Sequence, residues 1–250
     1  MIYVIIGVIL LLWGLYLVFY SLRNKRHFLW LDSNPPTDID VLFDMKQSDT
    51  SLFDNFEAPI ELSGKILDDK FLISPIKNLE CVYYNSKITN YIKKPYYYYE
   101  GKRKRKGQTV SSEVEFSESK FMEFEIKTKG NNILTVLPEN PKIDNLIYYK
   151  HEENLNKKLA QDTYLIRKVF EEEIVLTDTD VFIVGSLNVQ DGKFVVKKPK
   201  QKNVPYIITN KSKNELLKNF KDESKKIYIG IFFVIIGLVF SFAYFIEEFK

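Results

Sequence analysis

The densest concentration of chemistry in this sequence is one short run, Tyr96-Tyr97-Tyr98-Tyr99-Glu100-Gly101-Lys102-Arg103-Lys104-Arg105-Lys106-Gly107. Four tyrosines precede five consecutive cations, and two glycines bracket the cations. Like charges repel, so the run predicts an extended basic loop over residues 93–109. Beside a membrane, such a loop attracts anionic lipid at about 1 kcal/mol per cation near the surface. It would equally attract an acidic partner protein. Nucleic acid, held through phosphates and stacked tyrosines, is a weaker expectation, because the net charge of the whole chain is only +3. The bland reading is a solvated hairpin tip. The run is not a phosphate-binding P-loop. Five residues instead of four separate the glycines, and Gln108-Thr109 stands where Lys-Ser/Thr is required. Lys102, Arg103, Lys104, Arg105 and Lys106 are therefore the candidate lipid or partner contacts.

Residues suited to catalysis are scarce. His27 and His151 are the two histidines available as neutral-pH bases. His27 follows Arg26 close to an apolar segment and reads as an interfacial residue. His151 lies in Lys150-His151-Glu152-Glu153 and reads as water-facing. Cys81, the single cysteine, opens an apolar strand and reads as a small buried hydrophobe. One cysteine excludes a disulfide framework and any multi-cysteine zinc or iron–sulfur site. Adjacent acids on a strand point to both faces, so Glu171-Glu172-Glu173 makes a poor cation cage. We expect no catalytic, metal-binding or cofactor-binding residue, and no cofactor.

The elements that must position these residues begin with two apolar rods. Ile2 to Tyr20 is a stretch of 19 residues without a charge, and Ile227 to Ile246 is another of 20. A helix rises about 1.5 Å per residue and a bilayer core is about 30 Å thick, so either stretch suffices to span. Trp13, Tyr16, Tyr20, Tyr228 and Tyr244 add aromatics of the kind enriched at membrane interfaces. A signal peptide would carry its cations before the apolar stretch and a small-residue cleavage site after it. Here the cations follow and no such site precedes Arg23. We expect transmembrane helices over 1–22 and 227–246, and hence an integral membrane protein. Arg23, Lys25, Arg26, Lys225 and Lys226 flank the two spans on the side of the central region. The positive-inside rule places that region in the cytosol and both termini outside. The Lys-, Ile-, Asn- and Tyr-heavy usage suggests an AT-rich bacterial genome, so the expected membrane is a bacterial inner membrane. Gly7 and Gly14 are seven apart, and so are Gly230 and Gly237. Each span thus carries a glycine seam, and small residues let such helices approach closely. Antiparallel packing along the seams would clamp both ends of the central domain. The bland alternative is that glycine is simply frequent in membrane helices.

Composition is 45% apolar and 28% charged with 10 Gly and 9 Pro, which excludes a collagen-like or wholly disordered chain. Residues 23–55 read as a juxtamembrane linker. Ser33-Asn34-Pro35-Pro36 forms a turn within it, before a short helix near Asp38 to Met45 with Ile39, Leu42 and Phe43 on one face. Gln47 to Asn55 reads as a loop. Over 56–210 the apolar period is two: Ile60, Leu62 and Ile66, then Cys81 to Tyr84, Val114 and Phe116, Phe124 and Ile126, Ile133 to Leu137, Ile174 to Leu176 and Val181 to Val184. Asp191-Gly192 is a hairpin signal. Short strands punctuated by turns predict a mainly β domain, an antiparallel barrel or sandwich with short helices (α+β), flanked by the two transmembrane helices. Residues 211–226 form a connecting helix opened by a capping box, Ser212 to Glu215. Tied at both ends, the domain should lie against the bilayer.

Several of these stretches together resemble a known family. Ile60-Glu61-Leu62-Ser63-Gly64-Lys65, Leu72-Ile73-Ser74-Pro75 and Glu80-Cys81-Val82-Tyr83-Tyr84 are similar to the GIDE domain, also called the BAM (beside-a-membrane) domain. Glu173-Ile174 with Asp180 to Gly185 resembles the family's second block, and Pro205-Tyr206-Ile207-Ile208-Thr209 its closing block. A glycine often precedes the second block's strand, where this chain has Thr177-Asp178-Thr179. The resemblance covers most of the chain and implies the two flanking spans. Eukaryotic members include a mitochondrial ubiquitin ligase in which a zinc-binding RING follows the second span. Here four residues follow that span, and one Cys with two His cannot fill two four-ligand zinc sites. The expectation is a RING-less binding or regulatory module at the cytosolic membrane face. A ubiquitin-ligase-type transferase is the alternative that the family label carries.

Overall fold

The computed structural model describes residues 2–34, 37–48, 53, 56–67, 69–144 and 147–248, with side chains in the terminal helices described over 5–241. The Pro35-Pro36 turn, most of the 47–55 loop and the Tyr244 side chain lie outside the described residues.

Helix α1 runs unbroken over Ile2–Ser33. It passes straight through residues 23–33, which the sequence reading places in a juxtamembrane linker. No proline interrupts that stretch, and it has something to pack on. Ser21, Asn24, His27 and Leu31, one helical stripe, are all buried. The short helix expected near Asp38 is α2 (Ile39–Ser48). Helix α3 (Lys213–Lys225) opens on the capping box: Ser212 accepts from the Glu215 N–H while the Ser212 N–H donates to the Glu215 carboxylate. After Lys226 the chain continues as α4 (Ile227–Glu248). Only 17% and 11% of the two apolar helical windows are buried within the protein, which separates them from the core helices of a soluble fold. Ile9, Phe19, Phe232 and Val239 face outward.

Twelve strands lie between the helices among the described residues: β1 (Glu57–Ile66), β2 (Leu72–Ile73), β3 (Glu80–Glu100), β4 (Arg103–Phe121), β5 (Phe124–Thr128), β6 (Ile133–Val136), β7 (Lys142–Asp144), β8 (Ile147–Ala160), β9 (Thr163–Leu176), β10 (Asp180–Gln190), β11 (Lys193–Lys197) and β12 (Ile207–Thr209). The fold is mainly β, and of the two architectures expected it is a barrel, antiparallel except at the β6–β11 seam, which is parallel. Strands β1, β5, β6, β11 and β10 follow one another, and β10 pairs back on β1 from Glu57↔Asn188 to Lys65↔Asp180. Closure leaves no free edge in the ring. Asp191-Gly192 turns β10 into β11 with both residues at positive φ, the geometry a two-residue hairpin requires.

The run Val181-Phe182-Ile183-Val184 shows why β10 is buried on both faces. Val181 and Ile183 point into the barrel core with Ile60, Leu62, Ile126, Leu134 and Val196. Phe182 and Val184 point outward, onto Leu31 of α1 and Leu216 and Phe220 of α3. Barrel and helices therefore share one strand as a wall. Lys213 fastens the same joint: its Nζ lies 2.7 Å from the buried Glu61 carboxylate of β1 and donates to the Asn34 carbonyl at 2.7 Å.

The second sheet, β4-β3-β9-β8 with β2 at its root, curls into a half-barrel. Its strands are longer than the alternation suggested. Strand β3 has 21 residues and β4 has 19, about 65 Å of chain at about 3.3 Å per residue. The polar stretch around His151 is itself strand, within β8.

Candidate functional site: a cationic arm

Strand β9 last pairs with β3 at Lys93↔Tyr164, while β3 and β4 stay paired to Glu100↔Arg103. Residues 94–109 therefore form a two-stranded ribbon standing beyond the rest of the sheet. The expected basic loop over 93–109 is strand on both sides, with its turn at Gly101-Lys102. Tyrosine has high strand propensity, and cross-strand partners offset the repulsion among the cations.

The register distributes the two sequence blocks over two faces. Tyr97 lies opposite Lys106 and Tyr99 opposite Lys104, so these four share one face. Tyr98 lies opposite Arg105 and Glu100 opposite Arg103 on the other face, with Tyr96 alongside. Lys104 Nζ sits 4.5 Å above the Tyr97 ring. Tyr96 and Tyr98 stack at 5.7 Å. Gly107 provides the seat for Tyr96: a Cβ there would fall 2.6 Å from the ring. Arg105 pairs with Glu100, and Lys106 pairs with Asp162 at the β8–β9 turn. Lys102 and Arg103 have no ion pair among the described residues. The five cations thus have different surroundings. Two are paired and one rides on a ring, which leaves the turn itself as the open positive end. Tyr99 is the most exposed of the four tyrosines, at 73%.

The root of this arm is held by a residue whose role was not legible from the sequence. Glu172 is fully buried, and four donors converge on its carboxylate: the Ser74 and Ser86 hydroxyls at 3.1 and 2.7 Å and the Ile76 and Lys77 N–H groups at 2.9 Å each. It fastens the turn after β2 to β3 and β9. Its neighbours Glu171 and Glu173 remain at the surface, accepting from Tyr148 and Asn85. Alternation separates Glu172 from the other two, but nothing local shows which face is covered.

The remaining candidates are dispersed. Cys81 is buried, and burial with the nearby Glu172 charge pushes its thiol up to about 11. His151 is exposed beside Glu153. Among the described residues no three His, Cys, Asp or Glu gather as a metal cage. The four glycines of the terminal helices do meet. A Cβ on Gly7 would lie 2.9 Å from the Gly237 carbonyl, and one on Gly14 would lie 2.8 Å from that of Gly230, so the helices run antiparallel in backbone contact.

His27 is buried, edge-on to Phe220 at 5.7 Å. Burial first, then Arg23 and Lys142, lowers its pKa from 6.5 to about 4. The folded chain thus holds a neutral imidazole, and the unfolded chain binds the proton more tightly. Its contribution to stability is complete above pH 6.5 and is lost as pH falls toward 4, by about 3 kcal/mol in all. The thermal midpoint of the full chain should therefore fall more steeply over that window than that of His27→Gln. Parallel curves would remove this account of His27.

The model of one protein family, GIDE, described as E3 Ubiquitin ligase, matches residues 96–241, more than half of the chain. The match starts at the tyrosines of the arm and runs into α4. No curated protein and no solved structure matches.

Proposed function

The chain belongs to the GIDE family, and from that membership we propose a membrane-anchored binding module whose arm takes an acidic protein surface on the cytosolic side. The observation that carries this reading is the ribbon 94–109, exposed on both faces and bearing tyrosines on each. A lipid surface would engage one face, whereas a two-faced aromatic and cationic finger fits a cleft. Tyrosine supplies large contact area at low entropy cost, and the open cations at the turn supply charge complementarity.

The family description names a ubiquitin ligase. That chemistry needs a zinc-held fold to seat a conjugating enzyme or a reactive thiol to carry ubiquitin. These 250 residues contain two His and one Cys, and that thiol is buried with its pKa raised. The binding reading uses what the chain has. In it, α1 and α4 span a bacterial inner membrane as a hairpin. Arg23, Lys25, Arg26, Lys225 and Lys226 mark the cytosolic end, and both termini lie outside.

A photo-crosslinker at position 99 in the full chain, expressed in cells, tests the arm. It should give one discrete protein adduct that disappears in Lys102→Glu/Arg103→Glu. The same group at Tyr148, half-exposed on β8, should not give that adduct. No adduct at 99, or identical adducts at both positions, would overturn the reading.

A further inference from the structure

A second concentration of positive charge lies at the foot of the barrel, assembled from three separate stretches. Arg23 and Arg26 come from α1, Lys142 opens β7, and Lys198, Lys200 and Lys202 come from the β11–β12 connection. They line a groove of about 720 Å³, and none of its lining residues is acidic. Lys200 is engaged by Glu57 at 2.5 Å, and Lys142 sits 5.3 Å from the Phe220 ring. Arg23, Arg26, Lys198 and Lys202 have no ion pair among the described residues. Cations that share one groove repel one another, and screening is incomplete within about 10 Å. Such an arrangement is satisfied by an anion from outside the chain.

The depth of the groove identifies the anion. Arg23 directly follows Leu22, where the uncharged stretch ends, and Arg26 is four residues past Leu22. At about 1.5 Å per residue they stand about 1.5 and 6 Å beyond the hydrocarbon. The headgroup layer occupies about the first 5–8 Å on each side of the core. Pro141, Pro199 and Pro205 lie in the groove wall, where fixed φ values favour a rim formed before the ligand arrives. The groove and the arm are also separate sites. Tyr206, just before β12, lines the groove, whereas Thr209 and Asn210, at the other end of β12, line a pocket with Ile147 and Ile174 at the arm's root.

We propose that this groove binds the headgroup phosphate of an anionic phospholipid, seating the foot of the barrel on the leaflet through Arg23, Arg26, Lys198 and Lys202. The proposal rests on the reading of α1 and α4 as spans, but not on the arm. A headgroup phosphate there would lower the local positive potential that acts on His27, so lipid binding and the protonation of His27 are coupled.

The test uses the full chain in a neutral detergent, titrated with short-chain phosphatidylglycerol. Phosphatidylcholine of the same chain length and inorganic phosphate serve as separate arms. Phosphatidylglycerol should raise the thermal midpoint saturably, and phosphatidylcholine should not. Arg26→Gln/Lys198→Gln/Lys202→Gln should weaken the binding by about a hundredfold. Lys102→Gln/Arg103→Gln, on the arm, should leave it unchanged. Without lipid, the triple variant should melt no lower than the parent, because removing cations relieves repulsion. Should it melt lower, Arg26→Lys/Lys198→Arg/Lys202→Arg replaces it as the probe and must bind like the parent. Equal shifts with phosphatidylcholine, undiminished binding by the triple variant, or loss of binding in the charge-conserving variant would each overturn the proposal. An equal shift with inorganic phosphate would overturn the lipid assignment. Failure of the chain to enter lipid discs would overturn the reading of the spans together with this one, whereas entry without selectivity would overturn this one alone.

Discussion

Gly14→Leu combined with Gly237→Leu should separate the two terminal helices. A Cβ on Gly14 would fall 2.7 Å from the Val234 backbone N and 2.8 Å from the Gly230 carbonyl. One on Gly237 would meet the Gly7 carbonyl and the Leu11 backbone N, both at 2.7 Å. These neighbours are backbone atoms, so no side-chain rotation makes room and the helices themselves must move. With α1 and α4 read as spans, the surrounding lipid tails are as apolar as leucine, so there is no hydrophobic drive to hold a loosened pair together. The cost should be about 1–3 kcal/mol at each site. Trp13 and Phe233 provide the readout, since their rings lie 4.6 Å apart across the seam. Cysteines at 13 and 233 should cross-link efficiently in the parent and fall to background in the double variant. Cys81 is buried with a raised pKa and will not compete. Ile9→Leu, on the outward face, should leave the cross-link intact. An unchanged cross-link in the glycine variant would mean that the seam is not close-packed.

The second large effect is expected at Glu172. Glu172→Gln keeps the volume but turns one acceptor oxygen into an NH2 group facing two donors. On one side those donors are the Ile76 N–H and the Ser86 hydroxyl, and on the other the Lys77 N–H and the Ser74 hydroxyl. In either orientation a buried pair loses its partner, at about 3 kcal/mol. Ser74 also accepts from the Leu79 N–H, so the disturbance spreads through the turn after β2. The denaturation midpoint should drop, and amide exchange at Ile76 and Lys77 should accelerate. Glu171→Gln and Glu173→Gln, on surface carboxylates, should change stability by less than about 0.5 kcal/mol. If all three substitutions behave alike, Glu172 does not anchor the arm.

The three glutamates mark the boundary of what the sequence makes legible. Period two separates Glu172 from Glu171 and Glu173, but the face that is covered depends on Ser74 and Ser86, which are distant in the chain. The arm shows the same limit. The tyrosines and cations were evident as blocks, but within one extended loop over 93–109. That both blocks are strand, and that pairing sets Tyr97 beside Lys106, followed only from the register. Strand β8 was hidden because its residues are almost all exposed, so alternation had no apolar side to display.

The sequence by itself determined the two membrane-length rods, the capping box, the Asp191-Gly192 hairpin and the mainly β character. Each depends on consecutive residues: a bilayer counts an uninterrupted apolar length, and a turn or cap is made by neighbours. Tertiary structure alone decided barrel over sandwich, the burial of His27 and Glu172, and the gathering of cations from three stretches into one groove. These depend on which distant segments close against each other, and that is set by packing and strand register across the whole chain.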